Sequence, residues 1–168
     1  MAWAGKARAV RSITVGALVC LLATGARAQS SLPSPRETPG VTDGRVNQGT
    51  IGQTICRRGW TRSVRPPEAY TEGMKRGDIL AHGYPDRSLQ NYQLDHLIPL
   101  ELGGDPTDPG NLWAEPLHPA DGWGAGLKDE LEHKLNYLVC TGRLPLTAAQ
   151  HDIATDWESA YNRYIIGE

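Results

Sequence analysis

Tyr92-Gln93-Leu94-Asp95-His96-Leu97-Ile98-Pro99-Leu100-Glu101-Leu102-Gly103-Gly104 is the stretch on which the fold turns. An aspartate and a histidine stand side by side in an apolar run that ends in a proline and a double glycine. Polar groups that enter a core are hydrogen-bonded or have a task. Residues 92–100 read as an extended arm that stops at Pro99 and the Gly103-Gly104 turn.

Working outward, residues 105–110 (DPTDPG) are turn chemistry throughout. Residues 111–114 (NLWA) are a short second arm, followed by a loop to Gly124. From residue 125 the period changes. Leu127, Leu131, Leu135 and Leu138 recur at helical spacing and Gly142 marks the end. A last helix starts at Thr147, with Gln150 completing a capping box and a stripe of Ile153, Trp157, Ala160, Tyr161 and Tyr164. Upstream, residues 50–56 suggest a short strand and residues 56–67 (CRRGWTRSVRPP) a loop stopped by two prolines. Residues 71–82 suggest a short helix weakened by Gly73 and Gly77. The order strand, turn-rich loop, strand, helix predicts an α+β domain with flanking helices.

The N-terminus reads as a secretory signal peptide over residues 1–28. Lys6, Arg8 and Arg11 precede an apolar run from Ile13, and Ala26-Arg27-Ala28 fits the cleavage rule. That run is too short to span a bilayer comfortably, so the mature form is expected in the periplasm or outside the cell, without a membrane partner. Residues 29–168 are about 140 in number, enough for one core. Residues 29–49, rich in Ser, Pro, Gly and Thr, read as a disordered or extended lead-in, and residues 50–168 as a single domain, taken as a monomer. Removing Lys6, Arg8, Arg11 and Arg27 takes the formal net charge from −2 to −6. An acidic export product is not an obvious nucleic-acid binder, although local clusters decide contacts. Of three cysteines, Cys56 and Cys140 remain, and the oxidising compartment favours a disulfide between them over a metal pair or free thiols.

The central segment resembles the HNH, or ββα-metal, nuclease family. The resemblance rests on Asp95-His96-Leu97-Ile98-Pro99-Leu100, Gly103-Gly104, Asn111-Leu112-Trp113, and Lys128-Asp129-Glu130-Leu131-Glu132, about 40 residues in family order. It implies a hairpin-plus-helix core, an exported metal-dependent endonuclease acting on DNA or RNA, and a divalent cation, Mg²⁺ first and Mn²⁺ or Zn²⁺ after it. It makes His96 the general base and Asp95 a metal ligand, with Asn111 orienting His96 or pinning the loop. Those residue types suit the chemistry. A carboxylate is a hard ligand for Mg²⁺, the ion neutralises developing charge, and a near-neutral imidazole takes a proton from water.

The helix ligand departs from the family pattern. The position nine residues after Asn111 is Ala120, and His118 stands nearby in a proline-flanked loop. Lys128 and Glu132 border the apolar face, whereas Asp129 and His133 lie opposite. Glu132 is therefore the expected second ligand, with Asp129 and His118 as alternatives, and Lys128 the expected phosphate contact. An ordinary Lys–Glu surface pair fits the same spacing. Arg57, Arg58, Arg62 and Arg65 form an acid-free run suited to a phosphate backbone, or to a solvated basic loop. Adjacent strand residues point to opposite faces, so Asp95 and His96 meet one phosphate only where the hairpin twists or bulges. A rival reading is a non-catalytic exported binding module that keeps the ββα frame.

Overall fold

The computed structural model describes Met1 and residues 32–167. The expected cleavage site, the signal peptide beyond Met1 and residues 29–31 lie outside the described residues. The described chain is α+β, with one two-stranded antiparallel sheet and four α-helices.

Strand β1, Tyr92–His96, pairs with β2, Leu112–Pro116, in a regular register from Tyr92↔Pro116 to His96↔Leu112. β1 stops at His96, short of the expected arm, because the chain turns through Pro99 into a 3-10 segment, Leu100–Leu102. The two glycines that follow serve different needs. Gly103 has a left-handed φ of 76°, which other residues rarely adopt. Gly104 makes a close approach: a Cβ there would sit 1.7 Å from the Ile98 carbonyl oxygen.

Two helices flank the hairpin. α1, Trp60–Val64, is a single turn within the expected basic loop. α2, Glu68–Ala81, starts directly after Pro67. Gly73 and Gly77 face open space, so they weaken α2 by about 1 kcal/mol each without breaking it. α2 covers the hairpin through Ile79, which packs with Tyr84, Tyr92 and Ala114. α3, Ala125–Cys140, and α4, Leu146–Tyr161, build the larger core. Leu131, Leu135 and Val139 of α3 meet Leu146, Ile153 and Trp157 of α4. The Leu127 and Leu138 positions are only half-buried.

Several expectations are corrected. The lead-in over residues 32–49 is ordered rather than disordered: Gly40 N–H donates to Gly110 O, Asp43 N–H to Gly103 O, and Thr42 bridges to Gly104. Main-chain hydrogen bonds hold it, with Val46 reaching the core, so no apolar period marks it. Residues 50–56 are not a strand. Their bonds close locally, Thr54 N–H onto Thr50 O and Cys56 N–H onto Ile51 O, around a 3-10 turn, Ile51–Gln53. The capping box of α4 does not form, because Gln150 Nε2 donates to Leu102 O at 2.8 Å. α4 is instead re-capped at Asp156, whose carboxylate accepts from the Ser159 N–H and hydroxyl. Cys56 and Cys140 form the expected disulfide, with 5.5 Å between their Cα atoms. Among the described residues no helix is long and apolar enough to cross a membrane.

Candidate functional site

The site forms where β1 ends and α3 begins. The regular register sends Asp95 and His96 to opposite faces. Asp95 points to α3, and His96 points to the DPTDPG turn.

That turn is built to aim one carbonyl. Asp105 Oδ1 accepts from Thr107 N–H at 2.9 Å and Asp108 N–H at 2.8 Å, and Asp108 caps the following turn through Gly110 N–H. The Pro106 carbonyl then accepts from His96 Nε2 at 3.1 Å. A carbonyl only accepts, so Nε2 carries the proton and Nδ1 keeps the lone pair in the neutral ring. No hydrogen bond engages Nδ1 among the described residues, and it is not one of the buried orphaned polar atoms. His96 is 5% exposed. Burial lowers its pKa below the ordinary value; Asp95 and the Pro106 carbonyl oppose this, and Arg65 and Lys128 reinforce it.

No hydrogen bond joins the Asn111 side chain to His96 among the described residues. Asn111 is fully buried and pins the loop instead. Its Oδ1 accepts from Ile98 N–H at 2.9 Å and Val41 N–H at 3.4 Å, and its Nδ2 donates to Ile98 O and Asp105 O at 3.0 Å each. Of the two roles the resemblance implied for it, the geometry carries the second.

Lys128 is the centre of the other face. It is 0% exposed. Its ammonium donates to Asp95 Oδ2, to Glu132 Oε1 and, at 2.9 Å, to the main-chain oxygen of His96. Those three acceptors use all three donors of an ammonium. The expected phosphate contact through Lys128 is therefore corrected: a donor with no exposure and three internal partners has none left for substrate. Burial works to lower the Lys128 pKa, and Asp95, Glu132 and Glu115 together outweigh it, so the group stays charged. Burial raises both Glu132 and Glu115, with Lys128 pulling the other way. Glu115, fully buried on β2, gives one oxygen to Gln93 Nε2 at 3.0 Å, while its Oε1 has no partner among the described residues.

The expected metal ligands Asp95 and Glu132 are thus brought together, but by an ammonium. Their oxygens are hard enough for Mg²⁺, which needs near-octahedral oxygens at about 2.0–2.1 Å. A divalent ion between them would strip the partners from a buried cation, at a cost of about 3–5 kcal/mol. Among the described residues no group of three His, Cys, Asp or Glu is gathered to hold a metal. As arranged, the residues do not fit the ion. Among the described residues neither alternative ligand bonds to Lys128 beside Asp95, although Asp129, its pKa raised first by desolvation, lies close enough for the Asp95 charge to raise it further. Asp129 is exposed, and exposed His118 lies past Pro116, at the hairpin end where Tyr92 pairs.

The arginines remain on the surface. Arg57, Arg58, Arg62 and Arg65 are exposed and form no ion pair among the described residues. Arg57 and Arg58 line a groove beside the disulfide, and Arg65 is the one whose charge reaches His96. Trp60 packs on the core, with Arg45 over its ring.

Two contributors escaped the sequence reading. The Pro106 carbonyl carries no signal, since any residue has one. Glu115 had a signal: an acid in an apolar arm, two residues from the Trp113 that pairs with Asp95. Comparison with protein-family models, with curated proteins and with solved structures gives no match.

Proposed function

We propose that this protein is an exported endonuclease of the HNH type that hydrolyses phosphodiester bonds in DNA or RNA, with His96 as general base. One observation carries the reading. The His96 ring is held by its Nε2 on the Pro106 carbonyl, kept neutral by burial, and, among the described residues, left with no hydrogen bond on the Nδ1 lone pair. That is the state a base needs near neutral pH. In the step, Nδ1 takes a proton from water as the water oxygen attacks phosphorus. The bond from phosphorus to the leaving sugar oxygen breaks, and that oxygen takes a proton from solvent. Arg65 adds positive charge on the His96 side, and the other exposed arginines extend it along a backbone. No step is drawn through a divalent ion, because Asp95 and Glu132 are already occupied by Lys128.

A second reading has its own support. The internal saturation of Lys128 suits a non-catalytic binding module on a ββα frame. Disulfide-intact protein incubated with supercoiled plasmid and with RNA, with Mg²⁺, Mn²⁺ or EDTA, separates the two. Cleavage that disappears in His96→Ala supports the nuclease. A folded protein that cuts neither substrate under any of these conditions is a binding module.

A further inference from the structure

We propose that the Lys128 ammonium is the resident cation of this site, seated between Asp95 and Glu132 in place of a divalent ion, and that it positions His96 through the main chain. The activity arm of its test rests on the nuclease reading; the binding arm does not.

Three observations carry it. Lys128 is fully buried, and its three donors meet three acceptors on two elements: Asp95 and His96 on β1, Glu132 on α3. The pair of carboxylates that would grip a metal therefore grips the amine. The third donor fixes the His96 carbonyl, while the Pro106 carbonyl fixes the ring's Nε2. Main chain and side chain of one residue are thus held from opposite faces of the hairpin. Lys75 does the same at the other end of β1, donating from α2 to the Tyr92 carbonyl at 3.2 Å. Both ends of the strand are anchored by a lysine from a flanking helix. Glu115, whose Oε1 has no hydrogen-bond partner among the described residues, is a third acidic group near the ammonium, after Asp95 and Glu132.

The test is Mn²⁺ binding to the disulfide-intact protein by equilibrium dialysis with electron paramagnetic resonance, beside Asp95→Asn and Lys128→Met. The wild type is expected to hold no stoichiometric Mn²⁺ that depends on Asp95. Lys128→Met, which leaves two carboxylates without their cation, is expected to gain such a site. Stoichiometric Mn²⁺ on the wild type that vanishes in Asp95→Asn overturns the proposal, whether or not Lys128→Met folds. In the cleavage assay, activity that survives EDTA supports it, and the acid limb of the Lys128→Met pH profile should move to higher pH. Cleavage that requires Mg²⁺ or Mn²⁺ overturns it while the nuclease reading stands. Absence of cleavage together with absence of Mn²⁺ binding sinks the nuclease reading and leaves the lysine assignment in place.

Discussion

His96 and Asn111 are both buried polar residues, yet their substitutions should fail differently. Truncating His96 to Ala removes the proposed general base, so on that reading cleavage should fall by about 10²–10⁴-fold with the fold intact. Circular dichroism and a plasmid assay on the same sample check this. The wild-type acid limb should lie below the ordinary histidine value of 6.5, because burial lowers the His96 pKa. An acid limb above that value would mean that another group is the base. Truncating Asn111 to Ala strands Ile98 N–H, Ile98 O and Asp105 O in the interior. The loss should be about 3 kcal/mol or more of folding stability, visible as a lower denaturant midpoint.

At the scale of the element, the loop between β1 and β2 depends on Gly104. Its alanine variant places a Cβ 1.7 Å from the Ile98 oxygen and 2.7 Å from Asn111 Nδ2. Backbone cannot yield there, so Gly104→Ala should fail to accumulate as folded protein. Gly126, near the start of α3 with nothing around it, is the control. Gly126→Ala should gain about 0.5–1 kcal/mol from helix propensity. The Cys56–Cys140 bridge ties the arginine-bearing turn to the end of α3 across a separation of 84 residues. By the chain-entropy argument it contributes about 4 kcal/mol. A Cys56→Ser, Cys140→Ser double variant should show that drop in chemical denaturation.

For the whole molecule, two histidines, His96 buried and His82 half-buried, give opposite pH dependences. His96 has a folded pKa below 6.5, so its contribution is complete above 6.5 and is lost as pH falls through the depressed folded value. His82, between Asp78 and Glu37, has a raised pKa, first through its hydrogen bond to Asp78. Its contribution is complete below 6.5 and is lost as pH rises through the raised folded value. The two partly cancel. Removing His82 by His82→Gln should therefore make stability fall more steeply on acidification from about pH 8 to about pH 5. Denaturant midpoints at the two ends, for variant and wild type, decide it.

Much of this was legible in the chain itself. The hairpin, the turn at Gly103-Gly104, α3 and the disulfide follow from local pattern, because period, turn chemistry and cysteine pairing act between residues near in sequence or few in number. The pairing of Asp95 with α3 was anticipated as chemistry, but its filling was not. Lys128 and Glu132 sit four apart, which is compatible with a surface pair, a metal margin or a buried clamp. Only the packing of α3 under the end of β1 removed water from Lys128 and turned its three donors inward. The order of residues 32–49 was equally hidden, since main-chain hydrogen bonds to distant turns leave no mark on side-chain composition. The sequence by itself determined which residues carry the candidate chemistry and which segments fold locally. The tertiary structure alone decided which cation stands between the carboxylates, because burial and donor geometry are properties of assembled elements.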